Sequence, residues 1–269
     1  MNRSTDWNAL SFKATFGLLA LITVFVLVAP TAIILMLSFT ADEALRFPPS
    51  GYSFRWYAAL LDANEIQAAA LISLKVAAVT VIVSVLLGVA ASLAIARSRS
   101  AWARMLETLF MSPLILPALA FGFASLMLFS LAGFRTSITT LAIGHIVVCV
   151  PFVLRTTLAS LAQLDPALLD CSQSLGASEL HTFRKITLPL ISRGVASGAF
   201  IAFMSSFDNV PVSLFLQDTR TQVLPIYLWD IIQNQLDSRA ASACGVVVIA
   251  TILMMVLMER LAGFSRFMK

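Results

Sequence analysis

Asp208 is the residue of this chain best suited to chemistry, and that chemistry is electrostatic rather than catalytic. It sits in Ser205-Ser206-Phe207-Asp208-Asn209, inside an otherwise apolar run. A carboxylate at the centre of a membrane helix costs about 2.5–3.5 kcal/mol on insertion scales. An acid kept at that cost calls for a compensating role, and attraction of a cationic solute is one; a place in the outer interface, or a partner within the bundle, is the alternative. At helical spacing Ser205, Asp208 and Asn209 share a face, opposite a lipid-facing side of Phe203, Phe207 and Val210. His145, after Gly144, is a second candidate for a solute pathway, with packing between helices as its ordinary alternative. Other chemistries find no residues. Cys149, Cys171 and Cys244 have no ligand spacing, and with only His145 and His181 beside them no metal site is expected. Neither GxSG nor HExxH occurs. Lys13, Lys75 and Lys185 are followed by Ala14, Val76 and Ile186, and Lys269 is the last residue, so there is no phosphate-binding loop. Any nucleotide energy must come from another polypeptide.

The elements that position these residues are membrane spans. Of 269 residues, 59% are hydrophobic and only 12% charged, half the charge of an ordinary soluble domain. Mean hydropathy is +0.91. Six apolar runs stand out, at 16–39, 71–96, 106–131, 137–160, 194–214 and 240–258, each near the ~20 residues that cross a bilayer as a helix. The expected fold is all-α, a polytopic membrane protein of six transmembrane helices in a single domain, 1–269. The first run is too long for a signal-peptide core and reads as a retained span. With the N-terminus inside, the inner segments carry twelve Lys and Arg, among them Arg3, Lys13, Arg97, Arg99, Arg104, Arg155, Arg184, Lys185, Arg193, Arg260, Arg266 and Lys269. The outer ones carry five, Arg46, Arg55, Arg135, Arg220 and Arg239. This bias puts both termini in the cytoplasm. The net charge of +4 lies beside the spans rather than in a stripe, so no nucleic-acid partner is expected. Lys75 is read as snorkelling outward. Pro113 and Pro117 are expected to kink the third span, and Phe47-Pro48-Pro49-Ser50-Gly51 to shape the first outer loop.

One polar island interrupts this pattern, a cytoplasmic loop at about 162–193. Asp165 and Pro166 open a short helix as N-cap and first residue. Gly176 ends it in the left-handed conformation. Ser178 caps a second helix running to about Thr187, which Pro189 stops, opening the next span. A helix–Gly turn–helix at the inner face is suited to docking a soluble partner.

The residues of this island are similar to a known signature. Leu175-Gly176-Ala177, then Phe183, then Leu188-Pro189-Leu190 resemble the "EAA" loop of permease subunits of bacterial ABC importers. Asp170-Cys171-Ser172 stand where that consensus reads Glu-Ala-Ala. The segment SFDNVPVSLFL resembles the SFDD-type segment of polyamine-importer permeases, with Asn209 in place of the second acid. GHIVVCVPFVLRTTLASL, with His145 and Pro151, extends the likeness, which runs from FPPSGYSFRWY to MERLAG. The resemblance implies a type I importer permease in the bacterial inner membrane. It would work with a second, non-identical permease, a pair of ATPase subunits and a periplasmic solute-binding protein. ATP and magnesium would sit on the ATPase, and this chain would hold no cofactor and catalyse nothing. The residues Asp170, Cys171, Ser172, Leu175, Gly176, Ala177, Ser178, Phe183 and Pro189 would form the ATPase socket. Asp208, Asn209, Ser205 and His145 would line the path of a small amine-bearing solute. The alternatives are another small organic solute, such as an aminophosphonate or amino-acid derivative, or an ion-driven secondary carrier. A carrier of that kind would show inverted repeats and more intramembrane acids.

Overall fold

The computed structural model describes residues 7–98, 100–218, 220–235 and 237–262. Arg3, Arg99, Arg266 and Lys269, four of the basic residues assigned to inner segments, lie outside the described residues. The elements are α1 (Trp7–Ser38), α2 (Arg55–Ala59), α3 (Asn64–Arg97), α4 (Ala101–Ile115), α5 (Ala118–Leu131), α6 (Ile138–Ala162), α7 (Pro166–Ser174), α8 (Glu179–Thr182), a π-helical turn (Phe183–Thr187), α9 (Leu188–Phe207), α10 (Val210–Leu216), α11 (Leu224–Gln235) and α12 (Ser238–Ala262). Five helical segments are long and apolar enough to cross a membrane, six if the bent pair α4–α5 counts as one span.

Each predicted run is helical, but two are broken. The third span bends by 106° between α4 and α5. Pro113 lies inside α4, whereas Leu116 is extended at φ −73°, ψ 142° ahead of Pro117. The break therefore falls where proline forbids its predecessor the α conformation, not at both prolines. The fifth span starts earlier than expected, at Leu188, and stops at Phe207. In the polar loop the second short helix runs to Thr187 and Pro189 stands in the first turn of the next span, both as expected, but no break separates the two. Helix α8 passes through the π turn into α9, with Leu188 N–H bonded to Phe183 O.

Internal packing divides the chain into two compact units. One comprises the N-terminal stretch through Asn64 together with Ile231–Leu253; the other comprises Glu65–Asp230 and the chain from Met254. In the first, the end of α1 is fixed by hydroxyls. Ser38 Oγ donates to Leu35 O at 2.7 Å and lies 2.7 Å from Tyr57 Oη, while Ser242 Oγ donates to Ser38 O at 2.8 Å. The loop after α1 is shaped, as its prolines imply. Ala41 N–H bonds Gly51 O, Ser53 N–H bonds Phe39 O, and Trp56 Nε1 donates to Asp42 O at 2.9 Å. Phe39, Phe54 and Tyr57 pack as a ring cluster.

The second unit is built on α6. Of its most apolar 18 residues 56% are buried, a larger share than in the four other unbroken spans. Two apolar clusters lie along it. Val76, Leu141, Val212, Leu216, Val223 and Ile226 form one; Cys149, Val153 and Ala202 form the other. Along α9, Gly194, Gly198, Ala202 and Ser206 recur every four residues. A Cβ on Gly198 would strike Thr156 Oγ1 and come within 2.8 Å of Val153 Cα, and one on Gly194 would strike Ser160. Small residues thus let the α6 and α9 backbones approach. Lipid is as apolar as leucine, so such close packing is what joins membrane helices.

Candidate functional site

The polar hairpin from Asp165 to Pro189 follows from local capping. Asp165 Oδ1 accepts Ala167 N–H at 2.9 Å, with Pro166 at the first helical position. After α7 the chain turns at Gly176, φ +81°, a conformation that costs an L side chain about 1–2 kcal/mol. Ser178 Oγ then accepts His181 N–H at 3.3 Å to start α8. The two short helices are tied at their buried side by Ser172 Oγ and Thr182 Oγ1, 2.8 Å apart. Asp170, Cys171, Leu175, Gly176 and Ser178 are exposed, as is Pro189, while Ala177 and Phe183 are half-buried. Leu175 is 84% exposed and Leu180 65%, so the hairpin presents leucines outward rather than inward. Arg97, ending α3, meets Glu179 at 3.1 Å. Both side chains are well exposed, so this pair contributes at most about 1 kcal/mol and serves mainly to register α8 against α3.

Sequence reasoning missed Thr182 and Glu179. The replacement of a consensus alanine by Ser172 was the available signal: a hydroxyl turned inward needs a partner, and Thr182 is the hydroxyl ten residues on.

At the other candidate site the structure separates the four residues. Helix α9 ends at Phe207, and Asp208 is its C-cap at φ −102°, ψ 18°, with its N–H on Met204 O at 3.1 Å. Asp208 is exposed; Ser205 and Asn209 are half-buried. Asn209 has left the helix, and its Oδ1 accepts Val212 N–H at 3.0 Å, capping α10. The shared helical face of Ser205, Asp208 and Asn209 therefore does not persist past Asp208. Val210, expected toward lipid, packs instead against the first apolar cluster.

His145, unlike the exposed Asp208, is buried, at 1% exposure. Its Nδ1 is 2.9 Å from Ser206 Oγ and its Nε2 is 2.9 Å from Ser213 Oγ. Interhelical bonds of this kind average about 0.6 kcal/mol and reach about 1.7. Ser206 was in the polar segment already singled out. Ser213, seven residues on and beyond the break in the helix, was the missed partner. Helix α10 is gripped closely on two sides. A Cβ on Gly144 would lie 2.5 Å from Leu216 Cδ1, and one on Gly122 would lie 2.7 Å from Pro211 O.

Comparison with known proteins places this arrangement. The family described as binding-protein-dependent transport system inner membrane component matches residues 84–264. The spermidine/putrescine transport system permease protein PotC of Escherichia coli strain K12 is 26% identical over 212 residues, covering 79% of this chain and 80% of the relative. PotC of Haemophilus influenzae is 28% identical over 234 residues, covering 86% and 89%. The molybdenum transport system permease protein ModB of Mycobacterium bovis is 29% identical over 214 residues, covering 74% and 80%. Among solved structures, a chain of a bacterial ABC transporter involved in import of the acidic polysaccharide alginate superposes with a TM-score of 0.73. It covers 97% of this chain and 99% of that one at 13% identity, a likeness of fold. With two broken spans of the same helical frame and a family match over two thirds of its length, the chain belongs to the inner membrane components of binding-protein-dependent transport systems: it is a multi-pass ABC permease subunit, not an enzyme.

Proposed function

We propose that this permease subunit carries a small amine-bearing cation of the polyamine class inward, driven by ATP hydrolysis on a separate pair of subunits. The observation that carries the reading is the exposed carboxylate of Asp208 at the C-terminal end of α9. A helix C-terminus carries a partial negative charge, so the carboxylate and the α9 dipole act on a cation with the same sign. The Asn209 side chain already caps α10, which leaves Asp208 as the charged member of the segment. Relatives named as spermidine and putrescine permeases support the same class. A periplasmic binding protein would deliver the solute between this subunit and a second, non-identical permease. The inner hairpin from Asp165 to Pro189 would seat an ATPase subunit, its exposed Leu175 and Leu180 entering the partner. Both termini and the hairpin would lie in the cytoplasm. A second reading, a smaller solute such as an aminophosphonate or amino-acid derivative, rests on Asn209 standing where the resembling segment has a second acid.

The test is uptake by the reconstituted complex. Asp208→Asn keeps volume and removes charge. Uptake of labelled putrescine or spermidine is expected to fall about tenfold or more, the scale of a charge-assisted contact, with partial recovery in Asp208→Glu. Full uptake by the Asn variant, in a complex still holding its ATPase subunit, would remove Asp208 from the pathway. Transport of an aminophosphonate or amino-acid derivative without polyamine uptake would favour the second reading.

A further inference from the structure

We infer that His145 is a positioning residue, a brace that holds the two halves of the fifth span at a fixed angle and thereby places Asp208. It is the middle of a three-part polar bridge: Ser206 on α9, His145 on α6 and Ser213 on α10, with 2.9 Å on each side. The break at Asp208–Asn209 lies between the two serines. Backbone bonds across the break are few: Asn209 N–H reaches Ser206 O at 3.4 Å, and Val210 N–H reaches Asp208 O at 3.0 Å. Two helices joined by so short a link are free to hinge unless side chains fix them. The bridge supplies that fixation from a third helix, and its members are buried, His145 at 1%, Ser206 at 3% and Ser213 at 0%. Van der Waals contact of α10 with Gly144 and Gly122 fixes where α10 sits; the hydrogen bonds fix its rotation relative to α9, since they are directional. The imidazole suits the task. It offers two ring nitrogens on opposite edges of one rigid plane, so one side chain meets a hydroxyl on each side. His145 thus acts on the solute path through Asp208, not by touching solute. The functional half of the inference rests on Asp208 lying in that path; the positioning half does not.

Two readouts separate them. The first is labelling of Asp208→Cys by a membrane-impermeant maleimide, with Cys171 and Cys244 replaced by serine, in complex retaining its ATPase subunit. Ser206→Ala, Ser213→Ala and His145→Met should each change the labelling rate, by roughly threefold or more. The double serine variant should match either single, because a brace cut at one end is already cut. Multiplying effects, as for independent packing losses, or an unchanged rate, would overturn the positioning role. The serine variants remove only one oxygen each, so they keep the test open if His145→Met does not assemble. The second readout is uptake of labelled putrescine. In the Asp208→Asn background, Ser213→Ala should lower uptake no further, whereas alone it should lower it several-fold. Independent losses there would overturn the functional half. Full uptake by Asp208→Asn alone would instead overturn the pathway reading, while the labelling result would still decide whether the brace exists.

Discussion

Asp42 orders the loop that follows α1. Its carboxylate accepts Ser50 N–H at 2.8 Å and Thr40 Oγ1 at 3.2 Å, and takes a further bond from Ser50 Oγ. The Ser50 hydroxyl and amide hold the Asp42 pKa below the ordinary carboxylate value. A depressed carboxylate adds stability above its unfolded pKa and loses it on acidification. The loop is therefore expected to be fully ordered at neutral pH. It should loosen as pH falls through the usual carboxylate range, and the contribution should be gone below the depressed value. Proteolysis within 41–53, followed from pH 7 to pH 3, checks this: Asp42→Asn should be cut at a rate nearly independent of pH, unlike the parent. At this scale the sequence was half legible. Asp165 and Ser178 could be read as caps because a cap is local. The bond of Asp42 to a serine eight residues away, and of His145 to two serines sixty and more residues on, depends on tertiary approach that no local pattern encodes.

The polar hairpin is the clearest object at the scale of elements. Its turn requires Gly176 at φ +81°, where proline, fixed near −65°, cannot go. Gly176→Pro is expected to leave membrane insertion intact while lowering substrate-stimulated ATP hydrolysis and uptake together, about tenfold or more if the loss exceeds ~1.4 kcal/mol of coupling. Reconstituted complex assayed for both activities checks it; loss of insertion, or normal activity, would refute the expectation. The first short helix and the glycine turn were legible because proline and glycine act where they stand. The continuation past Pro189 was not. It depends on the π turn at Phe183–Thr187, and a helix with one residue too many has no signature in composition. The same limit applies to the fifth span, whose apolar run continues past the break at Asp208 because α10 is apolar too.

For the whole molecule the test is sidedness. Leu61, 78% exposed between α2 and α3, belongs to an expected outer segment, and native Cys171 is exposed on the inner hairpin. With Cys244 replaced by alanine, an impermeant maleimide should label Leu61→Cys from the periplasmic side and Cys171 only in inverted vesicles. Labelling of both from one side would refute the six-span topology. The number and order of spans were legible because burial in lipid demands ~20 apolar residues in a row, a constraint written directly in composition. Helix α11 was not. Leu224, Ile226, Leu228 and Ile231 are buried while Trp229 is 64% exposed, and it starts where Leu224 N–H meets Ser73 Oγ at 2.8 Å. A helix of twelve residues falls below the length at which hydropathy announces a span.

The π turn sets a phase. Each residue of an α-helix advances the facing direction by about 100°, so one additional residue between Ser178 and α9 decides which way Glu179, Leu180 and Arg184 point relative to every residue of the span above them. Deleting one residue from Phe183–Thr187 is expected to restore a plain helix and turn that short segment like a key by about 100°. Arg97 and Glu179 would part, Ser172 would lose Thr182, and the outward leucines would face elsewhere, with the span itself unaltered. Membrane-inserted protein that no longer retains its ATPase subunit on purification is the expected outcome; retention at the parent level would show that facing is set elsewhere.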